Sequence, residues 1–393
     1  MTKELTVLSP EVTEVRDAIR EVAAGIAAKY DRAFWVESSR KHRFPEEIWD
    51  LMGTQGLLSL GVPEEYGGSG VGIVPVVAAM EAMAANGIPI ALYLLTAFSR
   101  EAILRHGSEE QKQRFVVPTV DGSEKICFAI TEPNAGTNSF KMESVAVAQD
   151  DGTYLLNGSK IFISGADAAD RMLVVARTTR AGEVADRRAG MSLFVLDTKQ
   201  KGVDLQPQDI DILIADLQHT VFFDDVVVTP DQLIGEEGQG FRYMFDALNP
   251  ERVLTAAWAC GIGDYALAKG VEYANERAPF GAPIGSYQGL QHPLARSKAN
   301  LDAARLMMYT AAKTFDDGGD AGYLANAAKL LASEAAVNTV DCVMQTFGGY
   351  AFTAEYDVST LWPMARLLRI APVNNEMVLN YIGEHVLGLP KSY

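Results

Sequence analysis

The sequence predicts an α+β fold in three consecutive parts: an N-terminal helical domain, a middle β-domain of barrel or sandwich type, and a C-terminal bundle of long helices. Two observations predict it. Apolar residues recur at helical spacing before residue 124 and again after Pro230, whereas residues 125–228 carry short alternating or β-branched runs. The chain also has 393 residues, enough for two or three domains with large cores, and its 48% hydrophobic to 22% charged balance is that of a soluble globular protein. The expected divisions are 1–123, 124–231 and 232–393.

The elements follow in order. Ser9-Pro10-Glu11 is a helix start with proline just inside the end, and apolar spacing carries that helix to Tyr30. Pro45 to Leu57 is a second helix, and the glycines of LSLGVPEEYGGSG (Leu58–Gly70) make a loop. Gly72–Asn86 and Pro89–His106 are apolar enough to be buried helices. Ser108 with Gln111 has the pattern of a capping box. Strands are expected at Lys125–Ile130, Ser144–Gln149, Thr153–Ile163, Met172–Arg177, Met191–Asp197 and Thr220–Val228, with Asp151-Gly152 turning a hairpin. Asn249–Arg277, Pro293–Asp316, Tyr323–Thr346 and Asn374–Leu387 read as the late helices.

The formal net charge is −17, from 34 Lys and Arg against 51 Asp and Glu. An acidic surface argues against nucleic acid and against anionic lipid as partners. The apolar stretch Val71–Ala84 is interrupted by Pro75 and Glu81, and no run reaches membrane-spanning length. The first residues carry acids and lack a leader-type apolar core, so a cytoplasmic location is expected. Three cysteines, Cys127, Cys260 and Cys342, lie far apart in sequence and fit neither metal-ligand spacing nor a disulfide framework. No metal site is expected. A glycine-rich phosphate loop after a strand, the nicotinamide fingerprint, is absent.

The most informative stretch is Ile126–Ser139, ICFAITEPNAGTNS. It reads as a buried strand running into a polar loop, where Pro133 removes a donor and Gly136 admits close approach of the backbone. Backbone N–H groups and small hydroxyls in a row suit a flat, acceptor-rich ring or an anion; an ordinary turn after a strand is the plainer alternative.

Four further segments accompany it in a fixed order: LNGSKIFISGA (Leu156–Ala166), FFDDVVVTPDQLIGEEGQGF (Phe222–Phe241), ERAPFGAPIGSYQGLQ (Glu276–Gln291) and QTFGGYAFTAEY (Gln345–Tyr356), all preceded by LGVPEEYGGSG (Leu60–Gly70). Together they resemble the acyl-CoA dehydrogenase family of flavoproteins along nearly the whole chain. The resemblance implies FAD as cofactor, an acyl-CoA as substrate, an electron-transfer flavoprotein as electron acceptor, and assembly as a homotetramer or homodimer. It places Phe128, Ile130 and Thr131 against the flavin ring, with Gly136 and Thr137 in the same loop and Thr137 also near CoA. Phe162 stands where many members carry tryptophan, and Ser164 where they carry threonine or serine. Arg277, Phe280 and Gln288 match the segment that holds the pyrophosphate and adenine side. Gln345, Gly348 and Gly349 match a contact that the family makes across a subunit interface. Asn374 and Glu376 match later contacts to the flavin nucleotide, and Asn249 and Arg252 lie on the substrate side.

The implied reaction removes a proton from the α-carbon and a hydride from the β-carbon of a thioester, so it needs a base. The commonest family pattern puts a glutamate where this chain has Pro372, in RIAPVNNEM (Arg369–Met377). Another branch, resembling the isovaleryl-CoA and long-chain dehydrogenases, carries a glutamate directly before an arginine on a different helix. LNPERVLTAAWACG (Leu248–Gly261) matches it through Glu251-Arg252, which makes Glu251 the candidate base. Asn249-Pro250-Glu251 is also a plain helix start, with a cap, a proline and an acid in the first turn. Glu132 is expected to be structural, and His106, His219, His292 and His385, which lack partners at catalytic spacing, are expected to be structural or at the surface. Two other functions stay open from sequence: an oxygen-using relative, either oxidase or monooxygenase, and a flavin- or acyl-CoA-binding scaffold without a base. Room at Pro372 hints at branched or bulky acyl groups.

Overall fold

Local signals set most helix ends in the N-terminal part. In the computed structural model, which describes residues 8–70 and 72–392 and the backbone alone at 245 and 246, Ser9 accepts from Val12 N and starts α1 (Pro10–Lys29). Asp31 caps α2 (Arg32–Arg40), which the sequence reading passed over. Then come α3 (Glu46–Thr54), α4 (Val74–Ala85) and α5 (Ala91–His106). The capping box at Ser108 forms in full and opens α6 (Glu109–Phe115). The start of the segment read for a leader, residues 1–7, and Val71 of the apolar stretch lie outside the described residues.

The middle part is one eight-stranded sheet: β1 (Ile126–Ala129), β2 (Val145–Ala148), β3 (Tyr154–Ser164), β4 (Arg171–Arg177), β5 (Met191–Asp197), β6 (Val203–Pro207), β7 (Gln218–Val228) and β8 (Leu233–Ile234). The order is β6-β7-β3-β2-β4-β5-β8, and β1 pairs in parallel with β4, Ile126 opposite Arg171. The β2–β3 hairpin turns at Gly152, whose φ of 83° only glycine adopts freely. β4 and β5 are buried almost throughout, whereas β7 alternates where one of its faces meets solvent. The edge strand β6 is a further element that the sequence reading did not assign.

The C-terminal part comprises α7 (Gly240–Glu276), α8 (Gln288–Asp316), α9 (Gly322–Phe347), α10 (Leu361–Leu367) and α11 (Asn375–Tyr381), the last followed by one π turn at Ile382–Val386. Helix α7 packs chiefly on α9 and α4. Gly261 allows the α4 contact: a Cβ there would stand 2.4 Å from Glu81 O. A buried ion cluster joins the two helical parts. Arg305 on α8 pairs with Glu81 on α4 and Asp264 on α7, and Tyr309 donates to Glu81 Oε2 at 2.7 Å. Removing one partner of such a cluster strands a buried charge, so the cluster fixes how α4, α7 and α8 meet.

One expectation needs correcting here. Asn249-Pro250 does not start a helix; α7 begins nine residues before Asn249, at Gly240, and Pro250 lies inside it. Packing on α4 and α9 carries the helix through a proline that local propensity would place at an end.

Candidate active site

The polar loop after β1 is held from within. Glu132 is buried and accepts from Lys160 Nζ at 2.8 Å, Ser144 N at 3.0 Å and Glu143 N at 2.5 Å. Lys160 also donates to Ile130 O at 3.1 Å. Burial pulls the lysine down to about 8 while Glu132 holds its proton on. Glu132 is thus structural, as the sequence suggested. The pair clamps the loop to β3 and leaves Gly136 and Thr137 exposed, with nothing within 4 Å of the place a Gly136 Cβ would take.

The same loop meets the middle of β3. Ile161 N donates to Thr131 O at 2.9 Å, and beside it Phe162 takes a φ of 59°, a strained region for an aromatic residue. Its N–H is held by Gln208 Oε1 at 3.0 Å, and its ring is 58% exposed. Two residues on, Ser164 and Gln218 exchange hydrogen bonds. Phe128 packs edge-on against Phe98 of α5, centroids 4.8 Å apart. So the structure brings Ile130 and Thr131 against β3 beside Phe162, with Phe128 two residues before Ile130 and Ser164 two residues beyond Phe162. Gly136 and Thr137 lie in the same loop. Asn374 joins them by donating to Thr137 Oγ1 at 2.9 Å, while Glu376 is exposed in the first turn of α11.

Glu251 sits on α7 at 5% exposure, and among the described residues its carboxylate has no hydrogen bond or ion pair. Burial pushes its carboxyl up to about 7, against the opposing pull of Arg252 and Lys329. The helix starts too far away for its N-terminal dipole to compete, because that effect fades within the first turn. Arg252 is half-buried, reaches back to Asn249 Oδ1 at 3.3 Å, and leaves its Nε without a partner. Lys329, which the sequence reading missed, is buried on α9 and donates to Val373 O at 2.5 Å and Asn375 Oδ1 at 2.8 Å. Its sequence signal was a lone lysine in an alanine-rich helix otherwise free of basic residues.

A second group of candidates lies elsewhere. Arg277, Gln345, Gly348 and Gly349 line one cavity of about 580 Å³ with Tyr273 and Tyr350. The Arg277 guanidinium lies 5.9 Å from the Tyr350 ring centre. Phe280 is 84% exposed, and Gln288 is exposed at the start of α8. From Glu251 to this cavity α7 runs 25 further residues to Glu276, which is about 38 Å at the rise of an α-helix.

The residues fit a flavin dinucleotide. An unpacked aromatic ring beside open backbone and hydroxyl donors suits the isoalloxazine, and a guanidinium at an aromatic-walled cavity suits pyrophosphate and adenine. Among the described residues no three His, Cys, Asp or Glu side chains are grouped to hold a metal ion, and no helix is long and apolar enough to cross a membrane. The three cysteines are free.

Family models match nearly the whole chain. The acyl-CoA dehydrogenase N-terminal, middle and C-terminal domain models match residues 9–123, 127–226 and 238–387. The chain belongs to the acyl-CoA dehydrogenase family. It is therefore an oxidoreductase of an FAD-dependent family, as the sequence motifs implied. Among curated relatives, the acyl-CoA dehydrogenase FadE12 of Mycobacterium tuberculosis is 40% identical over 384 residues, which is 97% of this chain and 98% of that protein. Among solved structures, butyryl-CoA dehydrogenase from Megasphaera elsdenii superposes with a TM-score of 0.90 at 31% identity, covering 98% of this chain and all (100%) of that one. PigA with FAD and proline superposes at 0.89 with 26% identity, over 98% of this chain and 100% of that one.

Proposed function

We propose that this chain desaturates an acyl-CoA thioester between its α and β carbons, with Glu251 as the base that takes the α-proton. The observation that carries this reading is the state of Glu251: a buried carboxylate without a partner among the described residues, its proton affinity raised to about 7. A structural carboxylate at that depth is normally paired. An unpaired one poised near neutrality suits proton abstraction, since it is substantially ionised and still basic.

Bound FAD supplies the acceptor for the β-hydride. The rest falls to the protein. The Glu132–Lys160 clamp fixes the loop that carries Thr131 and Thr137, and Gln208 holds Phe162 in its strained conformation as a wall for the flavin. Burial of its side chain on α7 keeps water from Glu251. On taking the proton the carboxylate becomes a neutral acid, which its surroundings tolerate better than the charge. Asn249 and Arg252, two residues before and one after Glu251 on α7, are the proposed contacts to the thioester and CoA. A base-deficient scaffold, which Pro372 suggests when viewed alone, is disfavoured by the condition of Glu251.

We also infer that the site needs two copies of the chain. With the flavin ring beside Glu251, the ring site and the nucleotide cavity are separated by the 25 residues of α7 from Glu251 to Glu276, about 38 Å, further than one extended FAD reaches. The Arg277 cavity of one copy would then serve the ring site of another, at least in a dimer. An electron-transfer flavoprotein is the proposed acceptor of the electrons. The test is anaerobic bleaching of the yellow protein by a panel of straight, branched and aryl acyl-CoA thioesters. Bleaching by one of them supports the reading, and tight FAD with no bleaching across the panel opposes it. Peroxide formed as fast as substrate is consumed would instead mark an oxidase.

A further inference from the structure

The turn that follows α10 carries no acid at Pro372, yet it is tied down from inside the bundle. Lys329 donates to Val373 O and to Asn375 Oδ1, and Asn375 in turn exchanges hydrogen bonds with Ser333 Oγ. Lys329, Ser333 and Asn375 are all buried, and the lysine is the sole basic residue of α9. A buried ammonium held by two neutral acceptors has no counter-ion among them. Its charge is directed toward whatever acid stands nearest in the low-dielectric interior.

We propose that Lys329 is a positioning residue for the reaction: anchored by Val373 and Asn375, it holds a positive charge behind Glu251 and keeps that carboxylate available as a base. This rests on the reading of Glu251 above. Helix α9 runs alongside α7 in the same direction, with Val343 against Gly270 and Phe347 stacked on Tyr273, a register that sets Lys329 about one turn beyond the level of Glu251. The charged groups acting on Lys329 are, largest first, Arg252 from α7, Glu376 from α11, Arg369 from the turn between α10 and α11, and Glu251 from α7. Those acting on Glu251 are Arg252 and Lys329, and Arg252 in turn feels Tyr381. Glu376 is exposed and screened, so Glu251 is the buried acid in this set. Burial lowers Lys329 to about 8, which leaves it charged at neutral pH. The two residues therefore carry opposite charges together mainly between about pH 7 and 8.

The test titrates Glu251 directly, in the FAD-loaded protein without substrate. Its carboxyl stretching band is the infrared band that Glu251→Gln lacks. Lys329→Gln keeps a donor for Val373 O without the charge, Lys329→Arg keeps the charge, and Lys329→Met keeps neither. The proposal expects the midpoint to rise by about half to one pH unit in the Gln and Met variants. That makes the ionised fraction roughly threefold to tenfold smaller below the midpoint, while Lys329→Arg stays near wild type. A wild-type midpoint in Lys329→Gln overturns it, and this pair of Gln and Arg variants decides the matter if the Met variant does not fold. The reading of Glu251 as base fails separately, by retained bleaching in Glu251→Gln, and that result leaves the titration standing.

Discussion

The Asn374 amide donates to Thr137 Oγ1 at 2.9 Å, joining the loop after β1 to the start of α11 across 237 residues of sequence. Asn374 also caps α11 by accepting from Met377 N. One residue thus fixes a helix end and ties it to the proposed flavin loop. Thr137→Val should remove only the tie, at about 0.5–1 kcal/mol because the contact is exposed. Asn374→Ala should lose the cap as well, about 1 kcal/mol more. Thermal unfolding of the two single variants and the double variant checks this. The double variant should match Asn374→Ala, not the sum of both.

Glu251 makes stability depend on pH. Its folded-state value of about 7 lies above the ordinary glutamate value of 4.5, so the native state binds a proton more tightly than the unfolded chain. Stability from this group is fully present below about pH 4.5 and is lost as pH rises through about 7. Glu251→Gln, which carries no charge to bury, should gain on wild type as pH rises, by up to about 3 kcal/mol above pH 7. Urea unfolding at pH 5 and pH 8 measures the difference. Equal midpoints for the two proteins at pH 8 would show that burial does not strain this carboxylate.

Lys160→Met should be among the most damaging substitutions in the β-domain. It leaves Glu132 buried with two backbone donors and no cation, and loosens Ile130 as well. The expected loss is about 3–5 kcal/mol, the usual result of stranding one member of a buried pair. Unfolding by urea gives the loss, and FAD retention should fall with it.

Arg277→Met should weaken FAD without touching Glu251. Loss of a charge-assisted contact to phosphate costs about 1.5–3 kcal/mol, roughly a tenfold to hundredfold rise in the FAD dissociation constant. Fluorescence titration of the apoprotein measures it. Unchanged affinity would remove the Arg277 cavity from the cofactor site.

Much of this was legible in the sequence because it rests on local signals. Helical period, the capping box at Ser108 and the Asp151-Gly152 turn each placed an element within a few residues. The loop from Ile126 and its companion segments identified the family. What escaped depends on the tertiary environment. Helix α2 is short and polar at its end, and β6 is an exposed edge strand, so neither shows a strong apolar period. Pro250 signalled a helix start because packing, not propensity, carries α7 past it. Phe162 lies where the β3–β7 register shifts between Lys160 and Ile163, and Gln208 and Thr131 hold that stretch from distant segments. Lys329 resembles a solvent-facing cation until α11 and α7 are seen to bury it. The rise in Glu251 is likewise set by depth, which no local pattern records.

The proton step tests the account most directly. Glu251→Gln is close to isosteric and cannot accept the α-proton. With a thioester that bleaches the wild-type protein anaerobically, stopped-flow absorbance should show FAD retained in Glu251→Gln and bleaching slowed by at least about a hundredfold, the scale of a lost general base. In wild type the bleaching rate should rise as pH passes about 7, where Glu251 ionises. Bleaching of Glu251→Gln at the wild-type rate would contradict the account, and the base would have to be sought on another residue.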